Sequence, residues 1–249
     1  MNVQTNSAIS VDCVIFGFDG TDLKALLVRR RNADPLYDEK EVKLPGAMIL
    51  ENETLEEAAS RVLEATTGLK GLYLKQIAIF SNPNRVTREE LDWICEYHGI
   101  STDRVVTVGY YALVKLGKGM TDYTRRQGAQ WMNVDEIHSL IMDHMDILSA
   151  ALSALQKEMI LSPAAFKLLP RKFTVRQLQN LFEAVFGVGI DNRNFRKKLF
   201  ASDILVDTGE METSVRHKPA RLYSLRKGVL SKRFKPGMNF MQTFKFNKI

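Results

Sequence analysis

Apolar residues concentrate in five stretches of the first part of the chain, and each stretch predicts a β-strand. The stretches are residues 11–18, 23–30, 72–80, 104–116 and 129–134. Asp19 and Gly20 lie between the first two stretches and indicate a tight turn, so these two strands are predicted to pair. The pattern after the fifth strand predicts two helices, over residues 135–142 and 143–160.

A helix is also predicted between the second and third strands. Thr54, followed three residues later by Glu57, forms a capping box that marks a helix start. Apolar positions then recur at helical spacing until Gly68 provides a stop, and they are Leu55, Ala58, Ala59, Val62 and Leu63. Residues 44–53, before this helix, are expected to form a glycine-containing loop. Residues 87–97 predict a further amphipathic helix near the cleft of the domain.

The segment from Gly46 to Leu69 carries glycines, an acid and an arginine in a recognisable order. It resembles the Nudix box, G-x5-E-x7-R-E-U-x-E-E-x-G-U, in which U is a bulky apolar residue and a loop and helix hold a divalent metal against a diphosphate. The matching positions are Glu53, Arg61, Leu63, Gly68 and Leu69, whereas Ala47 stands where the second glycine of the usual pair belongs. The resemblance implies the α/β/α sandwich of the Nudix fold.

The three glutamates that follow the arginine in the box are absent, and Val62, Ala65 and Thr66 stand in their places. Positions i, i+3 and i+4 share one face of a helix turn, where carboxylates can jointly hold a hard cation such as Mg²⁺. Phosphoanhydride hydrolysis needs such a cation to neutralise developing charge. We therefore expect no catalytic residue, no metal and no cofactor. Glu53, Glu57 and Arg61 are interpreted as a set of ion pairs on the helix surface that stiffens the loop.

The last third of the chain has the pattern of a helix-turn-helix. Thr174 and Gln177 form another capping box, and the helix that follows is predicted to end at Gly187. Its apolar positions indicate a helix that packs rather than one that binds DNA, and they are Val175, Leu178, Leu181, Phe182 and Val185. A tight turn leads to Asp191, the expected N-cap of a second helix over residues 192–200.

The second helix presents a surface suited to DNA. Phe195 and Leu199 define its buried face at 100° per residue. Arginine can pair with guanine, asparagine with adenine, and lysine usually contacts phosphate. The candidate DNA contacts on this helix are Arg193, Asn194, Arg196, Lys197 and Lys198. A solvated basic surface is the alternative.

Two further strands are predicted, over residues 204–206 and 221–225, and they frame a loop that contains Arg216 and Lys218. We interpret this loop as a basic wing that touches the DNA backbone or the minor groove. A helix-turn-helix followed by a basic wing favours a DNA-binding domain over a helix pair that only packs. The tail beyond Tyr223 mixes basic and aromatic residues, and we expect it to fold back on its own domain or on a dimer partner.

The net charge of +6 is unevenly distributed over the 249 residues. Residues 164–249 contain 18 Lys and Arg against 6 Asp and Glu, a balance of +12, whereas residues 1–163 contain 17 against 23, a balance of −6. This asymmetry indicates a basic module that binds a polyanion, joined to an acidic module. A hydrophobic share of 45% is typical of a soluble globular protein. No apolar run approaches the roughly 20 residues of a membrane span, so a cytoplasmic protein without membrane contact is expected.

The two modules together resemble the Nudix-related transcriptional regulators, in which a Nudix-like domain is fused to a C-terminal winged helix. The resemblance implies an α/β fold, with a Nudix-like effector-binding domain in residues 1–160 and a winged helix-turn-helix domain with a basic tail in residues 161–249. It also implies a homodimer, a double-stranded DNA operator and a small effector, either a pentose such as L-arabinose or ADP-ribose. The sequence looks nearer to the sugar-utilisation branch, although residues 87–97 depart from that pattern.

Loops above an α/β sheet form a pocket whether or not the domain is catalytic. Several aromatic residues are candidates for stacking on a base or a sugar, and they are Phe16, Phe80, Trp93, Tyr110 and Tyr111. Tyr110 and Tyr111 point to opposite faces of their strand, so at most one of them faces the ligand. Arg29 is a candidate partner for a phosphate or a sugar hydroxyl. The predicted effector-binding residues are Arg29, Phe80, Tyr110 and Glu53.

Two other functions stay open at this point. An active Nudix hydrolase of ADP-ribose or of a nucleotide sugar would use the C-terminal module only to dimerise, and the uncharged residues at positions 62, 65 and 66 argue against it. A general nucleic-acid-binding protein without an effector would bind with salt dependence but without sequence preference. Turnover of ADP-ribose and selectivity for DNA sequence distinguish the three functions.

Overall fold

A computed structural model describes residues 5–29, 42–161, 164–213 and 218–229 of the chain. Backbone contacts divide the chain into two compact units, Met1–Gly17 with Lys24–Leu152, and Phe18–Leu23 with Ser153–Ile249. The boundary expected after residue 160 stays a prediction. Within the described ranges, no helix combines the length and the apolar character that crossing a membrane requires.

A seven-stranded sheet lies at the centre of the first unit. Its strands are β1 Thr5–Phe18, β2 Leu23–Arg29, β3 Val42–Lys43, β4 Gly46–Leu50, β5 Leu74–Phe80, β6 Val106–Lys115 and β7 Ala129–Asn133. The order is β3-β2-β1-β6-β5, with β4 paired to β1 and β7 paired to β2. The five strands predicted from the apolar stretches correspond to β1, β2, β5, β6 and β7, so these predictions are confirmed.

The sheet separates two layers of helices, and β6 shows how. Val108 and Tyr110 pack in one core cluster with residues of α1, Leu55–Thr67. Gly109 faces the other way, because a Cβ placed there would lie 2.8 Å from the ring of Phe80 and 3.5 Å from the side chain of Ile147. Ile147 belongs to α4, His144–Leu161. Helices therefore cover both faces, as alternation along a strand allows, and the predicted α/β/α sandwich is confirmed.

The helices of the first unit begin and end where local signals place them. α1 starts at the capping box of Thr54 and Glu57, and Gly68 ends it in the left-handed conformation, with φ of 71°. The predicted amphipathic helix near residue 90 is α2, Arg88–His98, which also has a capping box and a left-handed glycine, Gly99. α4 matches the helix predicted over residues 143–160.

Two predictions for the first unit were wrong. Residues 44–53 are not simply a loop, because β4 pairs with β1, with Ala47 opposite Val11 and Gly46 opposite Asp12. Residues 135–142 do not form a helix. They contain part of a 3-10 turn, Val134–Glu136, and then an irregular segment in which Met142 has a φ of 57°. Both errors arise because partners distant in sequence, rather than local spacing, decide the conformation.

One helix of the first unit, α3 at Lys118–Arg126, was not predicted. It contains Gly119 and two threonines, residues of low helix propensity. Packing explains its formation: the ring of Tyr123 lies against Gly68, and a Cβ at Gly68 would be 2.7 Å from that ring. Tertiary contacts therefore outweigh a weak local preference.

The second unit contains the predicted helix pair and a small sheet. Its helices are α5 Val175–Phe186 and α6 Asn192–Ala201. Its strands are β8 Phe173–Thr174, β9 Leu205–Met211 and β10 Arg221–Leu225, in the order β8-β10-β9. Phe182 of α5 packs against Phe195 of α6, with ring centroids 5.9 Å apart, and so fixes the two helices together. Two helices and a three-stranded sheet confirm the predicted winged helix.

Candidate effector cavity and DNA-binding helix

A cavity of about 470 Å³ opens in the first unit. Its wall is formed by β1, the ends of β2 and β3, β4, the second half of α1, α2 and the first residue of α4. The predicted Nudix box thus supplies a strand and a helix to the wall. The amphipathic helix α2 supplies another part of it.

The uncharged face of the Nudix helix points into this cavity. Val62, Ala65 and Thr66 all line it, and the Thr66 hydroxyl donates to the Val62 carbonyl at 2.8 Å. No group of three or more acidic, histidine or cysteine side chains suited to a metal occurs among the described residues. The positions where the box usually carries metal-binding glutamates therefore offer the cavity no carboxylate.

Glu53, the remaining acid of the box, is engaged by Arg61. Arg61 Nε donates to Glu53 Oε2 at 3.0 Å, and Nη2 donates to Glu53 Oε1 at 2.5 Å and to the Met48 carbonyl at 3.0 Å. The Leu50 N–H donates to the same carboxylate at 2.8 Å. The hydrogen bond from Arg61 is the main reason that the pKa of Glu53 lies below its ordinary value. The predicted ion pair of Glu53 and Arg61 is confirmed, whereas Glu57 instead accepts the Thr54 N–H in the capping box.

Basic side chains outnumber acidic ones in the cavity wall. Among the described lining residues the lysine and arginine side chains are Arg29, Lys43, Arg61 and Arg85, and the only carboxylate is that of Asp12. Lys43 Nζ donates to the Leu44 carbonyl at 3.3 Å, and burial lowers the pKa of this lysine. Arg61 is paired with Glu53 and Arg85 with Asp143, so attraction of an anionic ligand depends on Arg29 and Lys43.

A buried polar network forms one part of this wall, and sequence reasoning missed it. Thr107 Oγ1 donates to Asp12 Oδ2 at 2.7 Å, and Nη2 of Arg85 lies 3.7 Å from the same oxygen. Burial raises the pKa of Asp12, but His144, Lys43, Thr107 and Arg85 together bring it below its ordinary value. An acid inside the otherwise apolar residues 11–18 was the one available signal, because burying a charge requires partners.

His144 joins the network as a neutral side chain. The Leu44 N–H donates to His144 Nδ1 at 2.9 Å, so the ring proton is on Nε2, which lies 3.7 Å from Asp12 Oδ1. Burial, opposed by Asp12, lowers the pKa of His144 to about 4. The histidine therefore acts as an uncharged donor next to a charged carboxylate near neutral pH.

Helix α2 contributes an aromatic surface to the cavity. Trp93, Tyr97 and His98 line it. The rings of Trp93 and Tyr97 stack with centroids 5.3 Å apart and 14° between their planes, and His98 lies edge-on to Tyr97 at 4.8 Å. Trp93 is one of the five aromatic candidates named from the sequence, whereas Tyr97 and His98 are not among them.

The predicted effector-binding residues are only partly brought together. Arg29 lines the cavity, but Phe80, Tyr110 and Glu53 do not. Phe80 covers Gly109 on the α4 side of the sheet, and Glu53 is held by Arg61. Tyr110 is 2% exposed beneath α1, where its hydroxyl donates to Glu56 at 3.4 Å. Apolar packing and local ion pairing, rather than the ligand, therefore account for these three side chains.

Most of the predicted DNA contacts lie on the accessible surface of α6. Arg193, Asn194, Arg196 and Lys197 are exposed and Lys198 is half-buried, while Phe195 and Leu199 are fully buried as predicted. Asp191 caps the helix by accepting the Asn194 N–H at 2.8 Å. In the predicted wing Lys218 is exposed, and Arg216 lies outside the described residues. The helix thus presents cationic and amide donors outward from an anchored apolar face.

Comparison with known proteins decides the family. The NUDIX domain matches residues 6–150, more than half of the chain. The chain belongs to the Nudix domain family. Residues 165–225 of this Nudix protein match the NrtR DNA-binding winged helix domain. The resemblance to Nudix regulators fused to a winged helix is therefore confirmed.

Individual relatives are similar to this Nudix protein over most of its length. The ADPR responsive transcriptional repressor NtrR of Acinetobacter baylyi is 27% identical over 220 residues, which cover 86% of this chain and 80% of the relative. The crystal structure of Shewanella oneidensis NrtR complexed with a 27mer DNA is 28% identical, with a TM-score of 0.70 over 91% of this chain and 97% of that one. A MutT/nudix family protein from Enterococcus faecalis, 21% identical with a TM-score of 0.59 over 89% of each chain, shares the fold.

Proposed function

We propose that this protein is a transcriptional regulator that binds an operator through α6 and the wing, and whose Nudix unit binds an ADP-ribose-like nucleotide without hydrolysing it. The observation that carries the proposal is the cavity itself. The box face formed by Val62, Ala65 and Thr66 lines it without a carboxylate, while cationic and aromatic side chains line the remainder. Such a site is equipped to hold an anionic nucleotide and not to assemble a catalytic metal.

The chemistry of the wall favours a diphosphate nucleotide over a free pentose. A neutral sugar gains little from Arg29 and Lys43, whereas a diphosphate gains charge-assisted hydrogen bonds from both. Trp93 and Tyr97 provide aromatic rings on which a planar base can stack, which a free pentose lacks. The Acinetobacter relative is named for its response to ADP-ribose, and no relative reported above is named for a pentose. The placement near the sugar-utilisation branch therefore receives no support.

The DNA-binding half of the proposal depends on α6. Its exposed arginines and asparagine can contact base edges, and its lysines can contact phosphates. A homodimer would place two copies of α6 on half-sites about one helical turn apart. If the effector and the operator prefer different conformations of the protein, binding of the effector lowers the affinity for DNA. Binding of DNA then lowers the affinity for the effector by the same factor.

The decisive experiment measures both activities on the full chain. Double-stranded DNA selected from a random library should bind in fluorescence anisotropy more tightly than unselected DNA, and ADP-ribose should change that affinity while L-arabinose should not. Incubation with ADP-ribose and Mg²⁺ should release no AMP or ribose 5-phosphate. Turnover at about 1 s⁻¹ or faster, an ordinary enzymatic rate, would overturn the non-catalytic assignment. Equal affinity for selected and unselected DNA would overturn the regulator.

A further inference from the structure

Helix α2 gives the cavity a feature that the Nudix box does not supply. The box contributes small or aliphatic side chains and an arginine, whereas α2 contributes three aromatic rings in succession on one face, Trp93, Tyr97 and His98. Trp93 and Tyr97 are one helical turn apart, so both rings point to the same side of the helix. The aromatic surface of the cavity is therefore a property of this helix.

The rings are held firmly at their base. Leu91 and Ile94 of α2 pack in a core cluster with Met48 of β4 and with Val105, and Trp93 packs against that cluster. The capping box of Thr87 and the carboxylate of Glu90, which also accepts the Met142 N–H at 2.9 Å, fix the start of the helix. Tyr97, by contrast, is 41% exposed although it is a large aromatic residue. The helix thus presents one anchored ring and one accessible ring to the cavity.

We propose that Trp93 and Tyr97 form a base-stacking subsite that selects ligands carrying a nucleobase over sugar phosphates that lack one. This inference rests on the proposed function and names the residues that contact the base of the ligand. The stacked pair provides a planar surface, and Arg29 and Lys43 line the same cavity and can contact phosphates. A ligand with a base at one end and a diphosphate next to it can contact both sets of side chains.

If Tyr97 stacks on the base, its removal should weaken only ligands that contain a base. Stacking of one base on an aromatic side chain contributes an amount that corresponds to about a 5- to 150-fold change in affinity. Replacing Tyr97 with alanine should therefore weaken ADP-ribose and AMP by a factor in this range. It should leave the affinity for ribose 5-phosphate unchanged, because that ligand has no base. Tyr97→Phe keeps the ring and should bind ADP-ribose as the unaltered protein does.

The test is calorimetric titration of the full chain with ADP-ribose, AMP and ribose 5-phosphate. The variants are Tyr97→Ala, Tyr97→Phe and Trp93→Ala. Phe200→Ala is the matched control, because Phe200 is 44% exposed, close to the value for Tyr97, and lies on α6. Because Trp93 packs against the core, the Trp93→Ala titration is interpreted only if circular dichroism shows native helix content. If this variant has lost helix content, the Tyr97→Ala titration alone tests the subsite.

Fluorescence provides a second readout that does not depend on affinity. The chain has two tryptophans, so Trp131→Phe leaves Trp93 as the only one. AMP and ADP-ribose should quench its emission, and ribose 5-phosphate should not. If the unaltered protein binds no ADP-ribose, the proposed function fails. If it binds ADP-ribose but Tyr97→Ala binds equally tightly and Trp93 is not quenched, the subsite is wrong while the proposed function stands.

Discussion

Arg85 joins the cavity to the beginning of α4 through Asp143. Its Nε donates to Asp143 Oδ2 at 2.9 Å and its Nη2 to Oδ1 at 2.7 Å, and the same Nη2 lies 3.7 Å from the cavity-lining Asp12. The Asp143 carbonyl accepts the N–H groups of Asp146 and Ile147 in the first turn of α4. A ligand that perturbs Asp12 therefore acts two contacts away from the first turn of α4, His144–Leu161.

Removing Arg85 should destabilise the first unit strongly. Its side chain is 3% exposed, so Arg85→Ala removes the cation that pairs with Asp143 and lies 3.7 Å from the buried Asp12. The free energy of unfolding should fall by about 3–5 kcal/mol, the usual result of breaking a buried pair from one side. Urea denaturation measures this. Arg88→Ala is the control, since Arg88 is 70% exposed and pairs with Asp92 on the surface of α2. Equal losses in the two variants would contradict the role given to Arg85.

Gly46, which stands where the first glycine of the usual pair belongs, should tolerate no side chain. A Cβ at this position would lie 1.9 Å from Asp12 Oδ1 and 2.8 Å from the Val11 carbonyl. Gly46→Ala should therefore displace Asp12 and lower the free energy of unfolding by about 1–3 kcal/mol, as overpacking usually does. Gly119→Ala, in α3 with nothing within 4 Å, should be stabilising by about 0.5–1 kcal/mol. Urea denaturation compares them, and a neutral Gly46→Ala would show that the carboxylate does not need its present position.

The stability of the first unit should fall as the pH decreases from about 6.5 to about 4. Burial lowers the pKa of His144 to about 4, whereas an unfolded histidine titrates near 6.5. Between these values the unfolded chain binds a proton that the folded chain does not, so acid favours unfolding. The pKa of Asp12 lies below its ordinary value, so the stability that this carboxylate contributes is lost only below this window.

Denaturation by urea between pH 7 and pH 4.5 measures this dependence. The slope should approach about 1.4 kcal/mol per pH unit for His144, and His144→Gln should remove that part. Burial also lowers the pKa of His98, so His98→Asn should remove a further part of the pH dependence of the free energy of unfolding. The exposed His138 provides the control variant, His138→Gln. A wild-type slope that survives His144→Gln unchanged would show that this histidine is not the buried neutral group.

Local sequence signals predicted the helices that have their own capping residues. α1 and α5 each begin with a capping box and end at a left-handed glycine, and each has an apolar face, so three independent signals agree. The same agreement holds at α6, where Asp191 caps a helix whose buried residues are Phe195 and Leu199. Short-range hydrogen bonds determine these boundaries, and such bonds can be read from neighbouring residues.

The cavity was harder to predict because its parts are distant in sequence. Asp12, Arg85 and His144 meet only after β1, the loop before α2 and the start of α4 are assembled, and no local pattern links them. Tyr110 was expected at the ligand because aromatic residues often stack on bases, yet the strand alternation that turned it inward placed it beneath α1. Pairing of β4 with β1 is likewise non-local, so the box segment was interpreted as a loop. Contacts between residues distant in sequence therefore determine which side chains line the cavity. The same contacts explain why the predictions for Tyr110 and for residues 44–53 were wrong.

The DNA-binding assignment of α6 makes a quantitative prediction about salt. Arg193→Ala should cost about 1–3 kcal/mol if the arginine contacts a base, and Lys197→Ala should weaken all sequences equally and reduce the salt dependence by about one counterion. Anisotropy titrations with selected DNA at several salt concentrations measure both effects. Arg176→Ala is the matched control, because Arg176 is 62% exposed but lies on α5 and faces Glu183 at 3.7 Å. Loss of affinity in the control equal to that of Arg193→Ala would indicate that overall positive charge, and not α6, holds the DNA.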